Sequence, residues 1–399
     1  MKLRHFAALL LLPLTVSAAE KLTVTVSHDL AIARPSETIA IAWSDVNAAL
    51  PHALIQKIVV RDAKGRELPY QVTNVKPEAK DPENVGIAYG ELLFQHDFAA
   101  GEKSATFTVE KAEKVSGPYP TKAFARYVPE RLDDFAWEND RIAHRTYGQA
   151  LGAPDTEKRG KEVLVTSGID VWCKRVDYPI VDRWYNKGHD HYHKDEGEGM
   201  DMYQVGTSRG CGGTGIWDGA KLHVGRNYKS WKVLANGPVR AIFELTYEGW
   251  DANGVQVSEV KRYTVDAGHN LDRIDSTFTF QGAPELTVAI GLNKTNADKG
   301  QNPKVEVTRN DAGWMSQWTA QQSNDSLGAA VIVPAGCKGF VQDEKNELVL
   351  ATAASGKPVR FYAGAGWTRT GHFKDRAAWD AYVADMAERA KNPVRVALK

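Results

Sequence analysis

An all-β fold closed by a single C-terminal helix is what three features of this 399-residue chain predict. Short stretches of alternating apolar and polar residues recur through its first quarter. Longer alternating stretches, joined by sequences rich in Asp, Asn and Gly, fill its middle. Helical spacing of large apolar residues stands out at one place, near the C-terminus.

The first five strands are read at residues 22–26 (Leu-Thr-Val-Thr-Val), 38–43, 58–62, 92–95 and 104–109. Period two puts one set of side chains on a buried face, and this spacing predicts a small immunoglobulin-like β-sandwich over residues 20–115. Gly117-Pro-Tyr-Pro120 then interrupts the pattern and marks a junction. A second unit, residues 121–399, carries strands at 231–234, 239–247, 255–265, 271–280 and 286–290. Asp251-Ala-Asn-Gly254 and Asp266-Ala-Gly-His269 supply the residues that tolerate left-handed backbone, so these long strands are joined by tight turns into a large antiparallel sandwich. Asp375 can cap a helix over residues 375–391, whose Trp379, Val383, Met386 and Ala390 recur at spacings of three and four and predict packing across a sheet.

Residues 1–19 have the order of a secretory signal peptide: Lys2 and Arg4, an apolar run from Phe6 to Val16, then Ser17-Ala-Ala19. The expectation is an exported, periplasmic or secreted, protein. No membrane anchor is expected, because no later segment approaches the roughly 20 apolar residues that span a bilayer and no cysteine precedes Cys173. Three cysteines (Cys173, Cys211, Cys337) allow at most one bridge. Fifty basic residues balance fifty acidic ones with no basic stripe, which argues against nucleic acid as a partner.

Two segments hold the residues suited to chemistry. Residues 187–201 contain His189, His191, His193, Tyr192 and five carboxylates. As an extended strand the segment would project all three imidazoles to one face, and its glycines fit an exposed loop equally well. A His-x-His pair, His191 and His193, can ligate a divalent metal such as zinc or calcium; a neutral imidazole beside Tyr192 or Tyr203 can instead move protons. No cofactor is otherwise indicated. The second segment, residues 124–147, interleaves Arg126, Arg131, Asp134, Trp137, Glu138, Arg141 and Arg145. Arginine forks grip carboxylates and a tryptophan face stacks on a sugar ring, so these are candidate contacts to an acidic saccharide; an ion-pair lattice among themselves is the alternative. The glycine-rich run at 206–219 matches neither a phosphate loop nor a dinucleotide fingerprint.

Residues 124–140 (Phe-Ala-Arg-Tyr-Val-Pro-Glu-Arg-Leu-Asp-Asp-Phe-Ala-Trp-Glu-Asn-Asp), together with 236–247 and 362–373, resemble the family of the domain of unknown function 4861 (DUF4861). The resemblance covers nearly the whole mature chain. It implies a secreted bacterial protein associated with degradation of uronic-acid polysaccharides such as pectin. The part from Asn236 also resembles the galactose-mutarotase type of β-supersandwich, shared by epimerases, glycosidases and polysaccharide lyases, and fold analogy alone does not choose among them. With an acidic oligosaccharide, pectin- or ulvan-type, as substrate, arginine neutralisation of a uronate and proton removal by His189, His191, His193 or Tyr203 suit β-elimination, as in a lyase or dehydratase. A glycoside hydrolase would instead use paired carboxylates, Asp134 with Glu138 or Asp195 with Glu198. A mutarotase or epimerase, or a saccharide-binding protein without chemistry, are the remaining readings.

Overall fold

The computed structural model describes residues 21–74, 90–153, 163–294, 304–321 and 325–399, so the expected signal peptide, residues 1–19, lies outside the described residues. Its elements are overwhelmingly antiparallel strands, as the alternation in the sequence predicts.

Two sheets near the N-terminus share one core. The larger runs in the order Arg395–Leu398, Lys21–Ser27, Ser104–Lys111, Ile58–Asp62, Glu67–Leu68, and the smaller in the order Arg34–Ala42, Gly90–Phe98, Tyr70–Asn74. Alternation does the work: Leu22, Val24 and Val26 turn inward with Phe107 and Val109, against Ile39, Ile41 and Phe94 of the other sheet. The final strand of the chain thus pairs with the first, Val24 opposite Leu398. The strand read through Trp43 stops at Ala42, because Trp43–Ala49 forms a short helix that buries Trp43 and Val46 against this core.

Beyond the junction lie an eight-stranded sheet and two five-stranded sheets, which share a single larger core. Its longest hairpin pairs Arg240–Ala252 with Val255–Asp266 through Asn253 and Gly254, both at positive φ, as an Asn-Gly turn requires. Phe243 and Tyr263, opposite each other in this pairing, stack with ring centroids 4.5 Å apart. The helix Arg376–Lys391 begins at Asp375, whose carboxylate accepts from the Ala378 N–H at 2.9 Å. It buries Trp379, Val383 and Met386 on the outward face of the eight-stranded sheet, over Ala330 and Ile332. Gly328 and Gly366 make room for Trp379: a Cβ at either position would stand 2.7 or 2.8 Å from the indole.

Cys173, Cys211 and Cys337 are all free thiols, so the one bridge the count permits is not formed. No helix among the described residues is long and apolar enough to cross a membrane.

Candidate active site

One five-stranded sheet, in the order Gly199–Asp201, Ile169–Lys174, Ile142–Thr146, Asp134–Glu138, Phe124–Val128, carries a cluster of buried charge that includes Asp134, Glu138, Arg145, Asp170, Lys174 and Asp201. Its alternation separates two faces. Phe135, Trp137, Ile142 and Val171 turn into the main core, while Ala136, Ala143 and Trp172 turn the other way. On this second face, by the same alternation and register, lie Asp134, Arg145, Asp170 and Asp201, with Arg145 directly opposite Asp170.

The helix Val181–Lys187 covers that face, burying Val181, Trp184 and Tyr185. Gly188, at φ 92°, ends it, and a further single turn, His189–Tyr192, follows. The histidine segment is therefore helical where a strand was one expectation. Its anchor is Tyr192, 1% exposed and stacked on Trp172 at 4.8 Å. A helical turn advances about 100° per residue, so residues four apart meet and residues two apart diverge. His189 and His193 accordingly face each other, Nε2 to Nε2 at 3.1 Å, whereas His191 points away and pairs with Glu196 at 2.8 Å. The three imidazoles do not share a face, and His191 and His193 do not form a metal pair. No group of three or more potential metal ligands occurs among the described residues.

A cavity of about 390 Å³ opens beside this turn. Its wall includes Arg131, Arg145, Tyr147, His189, His193 and Tyr203, together with Asp170 and Asp201. Arg145 is the hub. Its Nε donates to Asp170 and its Nη2 to Asp201, each at 2.8 Å, and Asp134 stands 3.5 Å away. Tyr147, Trp172 and Tyr192 surround the guanidinium at 5.2–5.5 Å.

Arg145, with Arg131 acting on Asp134, faces three buried carboxyls, and this balance sets the protonation of the site. Burial acts against the charge of Arg145, but Asp170 and Asp201 outweigh it and the guanidinium stays charged. Asp134 is pushed up to about 6 by burial, against the pull of Arg145. Burial, then the charge of Asp170, raises Asp201 well above the usual carboxylate range, against the pull of Arg145. His193 moves the other way: burial lowers it below the ordinary imidazole range. Its Nδ1 lies 3.1 Å from the Asp201 carbonyl oxygen, an acceptor only, so Nδ1 carries the proton and Nε2 carries the lone pair. Burial also keeps the phenols of Tyr147 and Tyr203 protonated. Tyr147 donates to Asp170 at 3.1 Å, and Tyr203 accepts from the Asn293 N–H at 3.4 Å.

The other expected contacts lie elsewhere. Trp137 is 1% exposed and donates to Asp272 at 2.7 Å, so no sugar can stack on it. Glu138 is buried, holding Lys174 at 2.7 Å and accepting from the N–H groups of Ile180 and Val181. Asp134 lies beneath Arg145 with Tyr185 donating to it at 3.1 Å. Arg126 pairs with Glu130 and Asp182 on the surface, and Arg141 meets His372 on a separate cavity. The carboxylate pairs considered for hydrolysis are occupied too: Asp195 binds Arg175 and Arg369, and Glu198 binds Arg183 and Trp184. Tyr147, Asp170 and Asp201 were not singled out from the sequence. Asp170 carried a signal, as one carboxylate inside the apolar strand Ile169-Asp-Val-Trp-Cys.

A curated relative, "Uncharacterized protein P7" of Formosa agariphila, is 29% identical over 395 residues, 96% of this chain and 94% of that protein. Among solved structures, an alpha-mannosidase from Enterococcus faecalis matches with TM-score 0.48 at 8% identity over 95% of this chain and 46% of its own. A protein in the Glycosyl Hydrolase Family 38, also from Enterococcus faecalis, matches with TM-score 0.47 at 9% identity over 95% and 47%. The chain spans about half the length of these solved chains, and likenesses this distant say nothing of chemistry. The model of the domain of unknown function DUF4861 matches residues 26–396, nearly the full length, and the chain belongs to that family.

Proposed function

We propose that this is an exported enzyme acting on uronic-acid-bearing oligosaccharides of the pectin or ulvan type, and that it works by β-elimination in the cavity beside Arg145. The observation that carries this reading is the pairing on one wall of an imidazole whose charged form burial disfavours with two phenols that burial keeps protonated, beside a carboxyl that burial pushes up. Groups whose environments push their proton affinities apart are the mark of acid and base roles.

Arg131, which lines the cavity and forms no ion pair with any described carboxylate within 4.0 Å, receives the uronate carboxylate. That neutralisation acidifies the hydrogen on the adjacent ring carbon, C5. His193 Nε2 takes this proton as the C4–C5 double bond forms. The bond from C4 to the leaving oxygen breaks, and Tyr203 gives that oxygen its phenolic proton. At rest His189 donates to the His193 lone pair; substrate entry exchanges this hydrogen bond for contact with C5–H. His189, more than half exposed, is free to swing aside.

Incubation with pectic and ulvan oligosaccharides tests the reading. The expected product is an unsaturated uronide absorbing in the near ultraviolet, and His193→Ala should reduce its formation by about 10²-fold or more, the scale of general base removal. Because its proton affinity is lowered, His193 stays neutral below the ordinary imidazole range, so kcat should persist into mildly acidic solution and fall only when pH drops through the lowered value. New reducing ends without ultraviolet absorbance would replace elimination with hydrolysis.

A further inference from the structure

A second cavity, of about 440 Å³, lies at the junction of three parts of the molecule and shares no lining residue with the first. Its floor is the outward face of the eight-stranded sheet. Ala241 and Phe243, Tyr263 and Val265, Ile274, and Phe361 and Ala363 point into the core, so by alternation Arg240, Arg262, Arg273 and Arg360 point out, on four successive strands. The N-terminal sandwich adds Arg34, and the C-terminal helix adds Arg389.

Four of these arginines hold carboxylates away from Asp275. Arg34 and Arg389 both grip Glu37, and Arg240 forms a fork on Asp266 at 2.5 and 2.7 Å. Arg262 donates to Glu244 at 3.0 Å. Arg273 and Arg360 are left to one carboxylate, Asp275, which Arg360 holds at 2.6 Å. Asp275 is 3.4 Å from Arg273 Nε but too poorly aimed to accept from it, and that buried N–H has no hydrogen-bond partner. Thr264, at 3.0 Å from Nη2, is a neutral partner only. Burial, then the positive fields of Arg240 and Arg360, disfavours the charged form of Arg273. Burial, then Arg389, likewise disfavours a positive charge on His269, also on the wall. A partly buried guanidinium whose buried Nε–H is unused, crowded by like charge on the wall of this cavity, is the environment that an oxyanion relieves.

We propose that this junction cavity is a binding site for a small oxyanion-bearing ligand, a sulfate, phosphate or sugar carboxylate, gripped by Arg273 and Arg360. Both strands that carry these arginines continue into the main core, and the lid over them is made of the N-terminal sandwich and the C-terminal helix. Occupancy therefore ties the two units together.

Calorimetric titration of the full chain at fixed ionic strength, in chloride, with inorganic sulfate, inorganic phosphate and galacturonate as separate arms, tests this. At least one should saturate a single site; the arm that binds tightest identifies the group. Binding should weaken tenfold or more in Arg273→Gln and in Arg360→Gln, the second being half exposed and safe for folding. Arg273→Lys, which keeps charge and loses the fork, should bind between the two. Arg131→Gln, in the other cavity, should leave this site's binding as in the wild type. Absence of saturation in all three arms overturns the site, as does unaltered binding in both glutamine variants. Loss of binding in Arg131→Gln overturns it as well, by moving the anion to the other cavity.

Discussion

The two cavities are built from the same residue types in opposite ratios. Around Arg145 two guanidiniums, Arg145 and Arg131, face three carboxyls, Asp134, Asp170 and Asp201, and the surplus is carboxyl. At the junction, two guanidiniums, Arg273 and Arg360, face one carboxylate, Asp275, and the surplus is cation. An unmatched charge is costly at both, more so around buried Arg145 than at the junction, where Arg273 and Arg360 are partly exposed. The two sites resolve it differently, because a carboxyl can bind a proton and a guanidinium cannot give one up. Carboxyl excess therefore becomes a store of protons beside His193, suited to acid and base work. Arginine excess has no such outlet and becomes a demand for an anion. Another buried carboxyl, Asp272, has no cation at all: Trp137 donates to it at 2.7 Å, His144 stands 3.3 Å away, and burial pushes it up to about 7 while holding His144 down at about 3.

Removing the hub breaks the comparison most severely. Arg145→Met leaves Asp170 and Asp201 without their cation and Asp134 with Arg131 alone, and should destabilise the protein by about 3–5 kcal/mol, read as a drop in the denaturant midpoint. A midpoint within experimental error of the wild type would show that the carboxyls are not held as a charge cluster.

Asp272 sharpens the comparison through pH. A carboxyl whose folded value is raised to about 7 from an unfolded value near 3.8 is bound to its proton more tightly in the folded state, so it is harmless at low pH and destabilising once ionised. Stability should fall as pH rises from about 4 to about 7, by on the order of a few kcal/mol from this group. Asp272→Asn keeps an acceptor for Trp137 and cannot ionise; chemical denaturation across that range should show its slope flattened relative to the wild type.

The smallest effect should come from His191→Ala. This side chain lies off the cavity with Glu196, so turnover of a uronate oligosaccharide should stay within about twofold, the scale of a lost surface pair. A loss comparable to that of His193→Ala would place His191 in the chemistry and undo the geometry of the turn.

Much of the scaffold was legible in the chain. Asn253-Gly254 marks the hairpin because few residues adopt positive φ at low strain, and Asp375 with Trp379, Val383 and Met386 marks the last helix by a cap and a period. The candidate site was legible in part. His189, His193, Tyr203, Arg131 and Arg145 were named and the cavity brings them together; Arg126, Trp137, Glu138, Arg141 and His191 were named with them and it does not. The histidine alternation drew attention to period two, whereas Val181, Trp184, Tyr185 and the stacking of Tyr192 on Trp172 impose a helical path. Gly199, at φ 120° and with room for no Cβ against the Cys173 carbonyl, then returns the segment to the sheet.

Local physics, then, lies open in the sequence: backbone preference at turns and caps, and the period that assigns a residue to a face, depend on neighbours along the chain. Which charges meet does not. Arg145 and Asp201 are 56 residues apart, and Arg389 and Glu37 are 352 apart. Only strand order, register and the burial they produce decide that one arginine is surrounded by carboxyls while another is left without a hydrogen-bond partner for its Nε.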